Sequence, residues 1–369
     1  MMRNEIIGVI GCGGKVGHAA CEYLIEKGYR VKGGQRNPAG FSHSCFQWVK
    51  TDIYDEASLQ AFCRRCSLVI NCAGPSCLIR EKVAAASVKA GAKYVDTFGT
   101  FLIDNAYAQS IRNGVCVVSA GNVPGLSEIL PCSLISEYFD EVDEIEVYAG
   151  GLDYPTFSST ADVLLSSLEG YGYAGSFYNC GEICSELADT SKRIKIWGFD
   201  EEVFAKPFIG SEFAALCKRK GVKKGYCYNT VVSKQLGEAM VNSCIELAAG
   251  RAGRSLEKCV EEINTQMELS LFGRKPGYTL VAAVTGSKSG KARTKRVSVK
   301  VKSSCEITGI VAGMVAAELA GKDIPCGIYY PFEITDAGKI MAKLLEYKNI
   351  FEYTSLDDAD IADFEEGTL

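Results

Sequence analysis

Residues 6–17 read I-I-G-V-I-G-C-G-G-K-V-G, and the rest of the chain is organised around this stretch. Ile6, Ile7, Val9 and Ile10 make a short apolar run of strand type, which Gly11, Gly13, Gly14 and Gly17 break into a turn. Residues 18–28, H-A-A-C-E-Y-L-I-E-K-G, then carry apolar side chains at helical spacing and stop at Gly28. Strand, glycine turn and helix in that order are the context a dinucleotide fingerprint requires. Glycines let the backbone approach a pyrophosphate, and a helix N-terminus offers N–H groups to it. The spacing fits G-x-x-G-x-x-G through Gly11, Gly14 and Gly17 better than a strict G-x-G-x-x-G. Gly11, Gly13, Gly14, Lys15, Val16 and Gly17 are therefore the candidate pyrophosphate contacts.

The chain has 369 residues, enough for two domains with separate cores, and its 47% apolar and 23% charged residues exclude disordered and fibrous classes. No apolar run reaches the roughly 18 residues of a membrane span, and no signal-peptide pattern precedes the first strand, so a cytoplasmic location is expected. A net charge of -5 gives no whole-molecule attraction to nucleic acid. The 17 cysteines are scattered through apolar segments and read as reduced and mostly buried. Cys63 and Cys66 form one C-x-x-C without a second pair or a nearby histidine, which reads as a helix end and not a metal site. With only His18 and His43 present, a histidine metal centre or a Ser-His-Asp triad is not expected.

Beyond the first helix, a second strand is expected over Tyr29–Lys32, ended by glycines. An NAD-preferring site wants a carboxylate near that strand end, whereas Gln35, Arg36 and Asn37 stand there. A guanidinium stacks on adenine and pairs with a 2′-phosphate, so Arg36, with Asn37 beside it, argues for NADP. Phe46–Lys50 reads as a third strand; Asp52 follows it, placed either beside an adenine or at a helix cap near Asp55 or Ser58. Ser67–Asn71 is a fourth strand, broken by N-C-A-G-P-S; Asn71, Ala73, Gly74 and Pro75 then lie at the carboxyl rim where open α/β sheets bind ligands. Helix over 80–90, strand over 93–96, helix over 102–113 and strand over 115–119 complete an alternation that marks an α/β doubly wound parallel sheet. After Pro124 strands are expected at 143–151, 193–199, 278–285 and 293–302, and helices at 158–169, 208–218, 234–249 and 256–271. The alternation of Val297, Val299 and Val301 with Ser298, Lys300 and Lys302 marks a half-exposed mixed or antiparallel sheet. Helices are expected at 306–319 and 334–347, with a loose acidic tail over 357–366.

Four segments carry a family resemblance: I-G-C-G-G-K-V-G-H-A-A at 10–20, I-N-C-A-G-P at 70–75, A-G-A-K-Y-V-D at 90–96 and S-A-G-N-V-P-G-L-S at 119–127. In these the chain resembles the saccharopine dehydrogenase-like oxidoreductases, NAD(P)-dependent enzymes acting on C–N bonds. Weaker echoes lie between Gly150 and Gly170 and at Ile307–Leu319. The resemblance implies a Rossmann domain (1–124), an inserted α+β domain (125–304) whose sheet often makes a dimer, and C-terminal helices (305–369) returning to the first domain, with the active site in the cleft. It matches Gly11, Gly14 and Gly17 to the family's phosphate loop, Arg36 to its NADP-type strand end, and Asn71, Ala73, Gly74 and Pro75 to the turn beside the nicotinamide. The second domain is shorter than in saccharopine reductases, and no substrate-carboxylate arginine aligns.

Hydride transfer from NADPH to an imine needs an acid near the nicotinamide; Asp96, after a strand, and Tyr154, on G-G-L-D-Y-P, are the candidates. Tyr23 and Lys27 mimic the Y-x-x-x-K of short-chain dehydrogenases but lie on the first helix, away from the rim. The run Lys288, Lys291, Arg293, Lys295 and Arg296 reads either as a solvated hairpin edge, the leading reading, or as a site for an anionic substrate or a carrier protein. Tyr171, Tyr173, Phe177 and Tyr178 either wall a substrate pocket or pack a core. The leading expectation is an NADPH-dependent reductase of a small or cyclic imine, such as a peptide-synthetase thiazoline, its substrate free or on a carrier protein, the chain a homodimer. An amino-acid dehydrogenase of the lysine dehydrogenase or carboxynorspermidine type, and an NADPH-sensing regulator, are the alternatives.

Overall fold

Ile7 and Val9 point to one face of the first strand and Ile10 to the other, yet all are buried, which requires cover on both sides of the sheet. In the computed structural model, which describes residues 5–103, 105–185, 190–250, 254–347 and 351–357, a parallel sheet supplies that setting. Its strands are β1 (Ile6–Ile10), β2 (Arg30–Gln35), β3 (Phe46–Lys50), β4 (Leu68–Asn71), β5 (Lys93–Asp96), β6 (Val115–Val117) and a short strand at Gly327–Tyr329. The last of these pairs with β6, and the order continues β5, β4, β1, β2, β3. The chain therefore runs outward from β1 through β2 to β3, then returns to β4 on the other side of β1. This reversal opens a crevice at the carboxyl ends of β1 and β4.

The first helix, Lys15–Glu26, buries Ala19, Ala20, Tyr23 and Leu24. The helix Ser304–Leu319 carries Gly309 and Gly313 against it; a Cβ at Gly313 would meet the Tyr23 ring at 2.7 Å. Small residues here let two helix backbones approach, and the Tyr29 hydroxyl ties the pair by donating to the Ala317 carbonyl at 3.3 Å.

Several boundaries differ from the expected ones. β2 continues past Lys32 to Gln35, because Gly33 and Gly34 are strand glycines that make room for the rings of Phe46 and Phe62. The expected helix at 102–113 is replaced by a 3-10 turn at Thr100–Ile103 and a single helical turn at Asn105–Ala108. No strand is expected between the helices at 306–319 and 334–347, yet Gly327–Tyr329 forms a seventh parallel strand beside β6. By internal contacts one unit comprises Met1–Leu126 with Cys305–Asp336, and a second comprises Ser127–Ser304 with Ala337–Leu369. Only residues 305–336 of the C-terminal segment thus accompany the first unit.

The second unit holds a mixed nine-stranded sheet. Its strands are β7 (Glu141–Leu152), β8 (Gly172–Ala174), β9 (Ser176–Asn179), β10 (Glu182–Ser185), β11 (Phe204–Gly210), β12 (Lys224–Val231), β13 (Gly277–Lys288), β14 (Lys291–Val301) and a closing strand at Phe351–Leu356. Central β7 is parallel to β12 and antiparallel to β13. Leu152, Val203 and Val232 form a core with Ala161 and Leu164 of helix Phe157–Leu168, Leu236 of helix Lys234–Ala248 and Val260 and Ile263 of helix Leu256–Leu271. β13 and β14 meet in a two-residue turn with positive φ at Ser289 (51°) and Gly290 (75°), the hairpin turn whose twist matches paired strands. The expected strand at 193–199 is reduced to one bridge, Ile194 to Val203.

Two surface readings also change. The basic hairpin is not simply solvated: Lys295 is buried, its Nζ 2.7 Å from Asp357, and the Arg293 guanidinium lies 5.2 Å from the centre of the Tyr138 ring. The aromatic group does not form one wall. Phe177 stacks on Tyr226 at 5.2 Å, Tyr178 turns to the buried side of the same strand, and Tyr173 is exposed. Of the acidic tail, only Asp357 lies within the described residues. Among the described residues no helix is long and apolar enough to cross a membrane.

Candidate functional site

The glycine loop leaves β1 through Gly11, whose φ of +78° suits glycine. A Cβ there would meet the Ala73 nitrogen at 2.8 Å, so the loop and the turn after β4 are in backbone contact. The Gly11 N–H donates to the Gly34 carbonyl at 2.8 Å, and the Gly14 N–H to the Gly11 carbonyl at 3.1 Å. Gly17 lies directly over Gly11, where a side chain would run into the Gly11 carbonyl. Gly14 differs: a Cβ would find only the Gly11 carbonyl, at 3.5 Å, and open space beyond. Gly14 is the N-cap of the first helix, and no side chain caps that end. Gly13, Gly14 and Lys15 are exposed, Val16 is half-buried and Gly17 is buried. The result is a cradle of bare backbone at the positive end of a helix dipole, a fit for a phosphate group that side chains would fill.

At the end of β2 the Gly13 N–H donates to Gln35 Oε1 at 2.6 Å, so this loop N–H, like those of Gly11 and Gly14, is engaged within the protein. Arg36 and Asn37 are exposed beyond it. Asp52 is half-buried and its Oδ1 accepts from the Tyr54 N–H at 2.9 Å, closing a turn of its own; the cap of helix Glu56–Cys63 is Asp55.

The turn at 71–75 is fixed by a buried polar group. Asn71 Nδ2 donates to Asp96 Oδ2 at 3.1 Å, while Asn71 Oδ1 accepts from the Ala73 N–H at 3.2 Å. Asp96 Oδ2 also accepts from the Tyr94 hydroxyl, and Oδ1 from the Phe98 N–H at 2.9 Å. Asn71 and Asp96 are each 1% exposed. Burial pushes the Asp96 carboxyl above the usual range, against the lowering pull of its three donors. Burial and the neighbouring carboxylate push Tyr94 well above the ordinary phenol value, so its hydroxyl keeps the proton with which it donates to Asp96. Ala73, Gly74 and Pro75 are half-buried along the crevice. Asp96 thus holds the turn from behind, with both oxygens committed.

Tyr154 belongs to the second unit, follows β7 and is 58% exposed; its N–H donates to Asp153 Oδ1 at 2.7 Å. Tyr23 is buried against Gly313, consistent with a packing role for the Y-x-x-x-K look-alike. Burial pushes the Cys12 thiol, inside the glycine loop, up to about 11 and Cys66 likewise to about 11. Among the described residues no cysteine forms a disulfide, and no three His, Cys, Asp or Glu side chains gather as metal ligands.

Residues 7–94, which hold the cradle, the end of β2 and the turn after β4, match the NAD dependent epimerase/dehydratase family. A search of curated proteins finds no match. Among solved structures, the apo saccharopine dehydrogenase (L-Glu forming) from Saccharomyces cerevisiae superposes with a TM-score of 0.62 at 13% identity, covering 96% of this chain and 100% of that one. The chain has the saccharopine dehydrogenase fold. DAP dehydrogenase of C. glutamicum is more distant, with a TM-score of 0.48 at 14% identity over 94% of this chain and 99% of that one. A putative epimerase from Bacteroides thetaiotaomicron is similar over 26% of this chain and 47% of its own, at 22% identity and a TM-score of 0.23. Within this saccharopine dehydrogenase fold, the glycine loop and the N-C-A-G-P turn come together as neighbouring walls of one crevice. The side chain that the sequence did not single out is Gln35, whose only signal was its place at the end of the second strand.

Proposed function

We propose that this chain is an NADP-dependent oxidoreductase that reduces the C=N bond of a small imine by hydride transfer. One observation carries the reading: a glycine cradle left open at Gly14, at a helix N-terminus, lies beside the turn after β4, where the sheet reverses, and no carboxylate stands at the end of β2. When bound, the cofactor supplies the hydride. The backbone from Gly11 to Gly17 holds its pyrophosphate, and Arg36 with Asn37 takes the 2′-phosphate. Asn71, Ala73, Gly74 and Pro75 wall the nicotinamide end, kept in place by Asp96. That carboxylate is a positioning group here, and Tyr154, an exposed phenol, is the proton donor assigned to the imine nitrogen.

The family the sequence resembles acts on C–N bonds, which supports an imine or amino-acid-like substrate; a cyclic imine such as a thiazoline, presented on a carrier protein, and a homodimeric cytoplasmic enzyme complete the proposal. The test is nicotinamide absorbance during incubation of NADPH with candidate imines. Oxidation of NADPH that depends on both the imine and the chain is the expected result. Reduction of the oxidised cofactor by free amino acids with no imine turnover would reverse the direction. Tight NADPH binding with no turnover of any C=N or C=O compound would make the chain a sensor. Arg36→Asp should weaken NADPH binding selectively; an unchanged NADPH-to-NADH affinity ratio would overturn the NADP assignment.

A further inference from the structure

Arg80 closes the single helical turn Ser76–Ile79 that follows Pro75, and its backbone stands at φ 55°, ψ -139°. Glycine enters this region freely, whereas a Cβ makes it costly. The conformation is imposed from both sides. The Arg80 N–H donates to the Ser76 carbonyl at 2.8 Å, and Glu81 already has helical angles at the head of helix Lys82–Lys89. Glycine would serve this corner better as backbone, so what arginine brings here lies in its side chain. The guanidinium reaches the loop after the neighbouring strand β5: Nη1 donates to the Tyr107 hydroxyl, and the group lies 5.6 Å from the centre of the Tyr107 ring. Tyr107 meets Phe101 edge-on at 5.8 Å, and Phe101 lies 6.3 Å from Phe98, whose N–H is held by Asp96 at 2.9 Å. Arg80, Tyr107 and Phe98 are half-buried and Phe101 is buried. A row of rings thus runs from Asp96, behind the turn at 71–75, to a cation at its far end.

We infer that Arg80, with Tyr107, binds a carboxylate of the substrate at the carboxyl rim of the sheet, one helical turn beyond Pro75. This rests on the reading of the chain as an imine reductase and adds the group it recognises besides the C=N bond. A guanidinium fork matches the two oxygens of a carboxylate. A phenol that accepts from a guanidinium still has its own proton to give, so the pair meets an anion with hydrogen-bond donors on a positive charge. The rings beside it suit the apolar body of a small or cyclic imine. The costly backbone at Arg80 is what sets the fork at this corner, where it joins the loops after β4 and β5.

The decisive substitution is Arg80→Gly, which relieves the backbone while removing the guanidinium. Calorimetric titration of the full chain, with oxidised NADP present, compares pyrrole-2-carboxylate, a flat and stable mimic of a cyclic imino acid, with pyrrole-2-carboxamide, its uncharged isostere. The unaltered chain should bind the carboxylate about tenfold or more tightly than the carboxamide, the scale of hydrogen bonds to a charged group. Arg80→Gly should abolish that preference, leave carboxamide affinity as it was, and hold or raise the melting temperature. Arg80→Gln, which keeps the length and removes the charge, should also lose the preference and keeps the test valid if the glycine variant folds poorly. Equal binding of the two probes by the unaltered chain, binding of neither, or a preference that survives in both variants overturns the inference. NADPH oxidation separates this from the reading beneath it. Turnover of uncharged 1-pyrroline as efficiently as 1-pyrroline-2-carboxylate leaves the imine reading standing and removes the role of Arg80. A carboxylate preference lost in both variants, without NADPH oxidation by either imine, keeps the Arg80 site and removes the imine reading.

Discussion

Replacing Asp96 with asparagine perturbs the turn after β4 without changing its shape. In the native group Asp96 accepts from Asn71 Nδ2 at 3.1 Å, from the Phe98 N–H at 2.9 Å and from the Tyr94 hydroxyl. An asparagine keeps one oxygen for the Phe98 N–H and turns an NH₂ toward the other two. The Tyr94 hydroxyl can rotate and accept; the Asn71 amide cannot, because Nδ2 is a donor only. One buried donor is then left unmet, at a cost of about 1–3 kcal/mol. The loss acts on the turn, since Asn71 also holds the Ala73 N–H at 3.2 Å through its other amide atom. Urea denaturation should therefore show Asp96→Asn destabilised by about 1–3 kcal/mol, and NADPH titration should show weaker binding. Tyr94→Phe, which removes one donor and leaves Asp96 with two, should cost less. If Asp96→Asn matched the unaltered chain in both stability and affinity, the view of Asp96 as the support of this turn would be wrong.

Other consequences are open to direct measurement. Ellman's reagent on the native chain should label Cys180 and Cys326 rapidly, as these are the exposed thiols, whereas fast labelling of Cys12 or Cys21 would contradict their burial. The Cys12 thiol is pushed by burial from 9.0 to about 11. The folded state thus prefers the neutral thiol, so its contribution is complete below pH 9 and is lost as pH rises toward about 11. That loss is about 3 kcal/mol at most, and a Cys12→Ala variant should show a shallower fall in stability over that interval; an identical fall would refute the assignment.

What the sequence made legible follows the range of the interactions. The glycine loop, the first helix and the turn at 71–75 are each marked by glycine, proline or helical spacing within a few residues, and each lies where its pattern placed it, although the turn is held in place by the distant Asp96. Gly33 and Gly34 read as a strand end because glycine usually marks one. Their true reason, the rings of Phe46 and Phe62, comes from other strands and helices. β12 escaped notice although it alternates, because its buried side is Gly225 and Cys227 and its half-buried side is Tyr226 and Tyr228. Small residues on the core face disguise a strand. Gln35 stood in plain view, but its orientation depends on an N–H 22 residues away. Asp96 was legible as a residue at the carboxyl rim; that its oxygens face inward, to Asn71, Tyr94 and Phe98, depends on the pairing of β4 with β5.

The central claim is that the open backbone at Gly14 is a seat for a dinucleotide pyrophosphate, and one substitution separates that from a structural role. Gly14 has an ordinary φ of -75°, and a side chain there meets only one atom at 3.5 Å, so Gly14→Asp fits the fold. Aspartate is moreover a favourable N-cap and should hold or raise the melting temperature. Its carboxylate would occupy the cradle and repel a phosphate. Calorimetric titration with NADPH should show binding to the unaltered chain and a loss of at least tenfold in affinity for Gly14→Asp, with the melting temperature unchanged or higher. Undiminished NADPH binding by a folded Gly14→Asp chain would contradict the account.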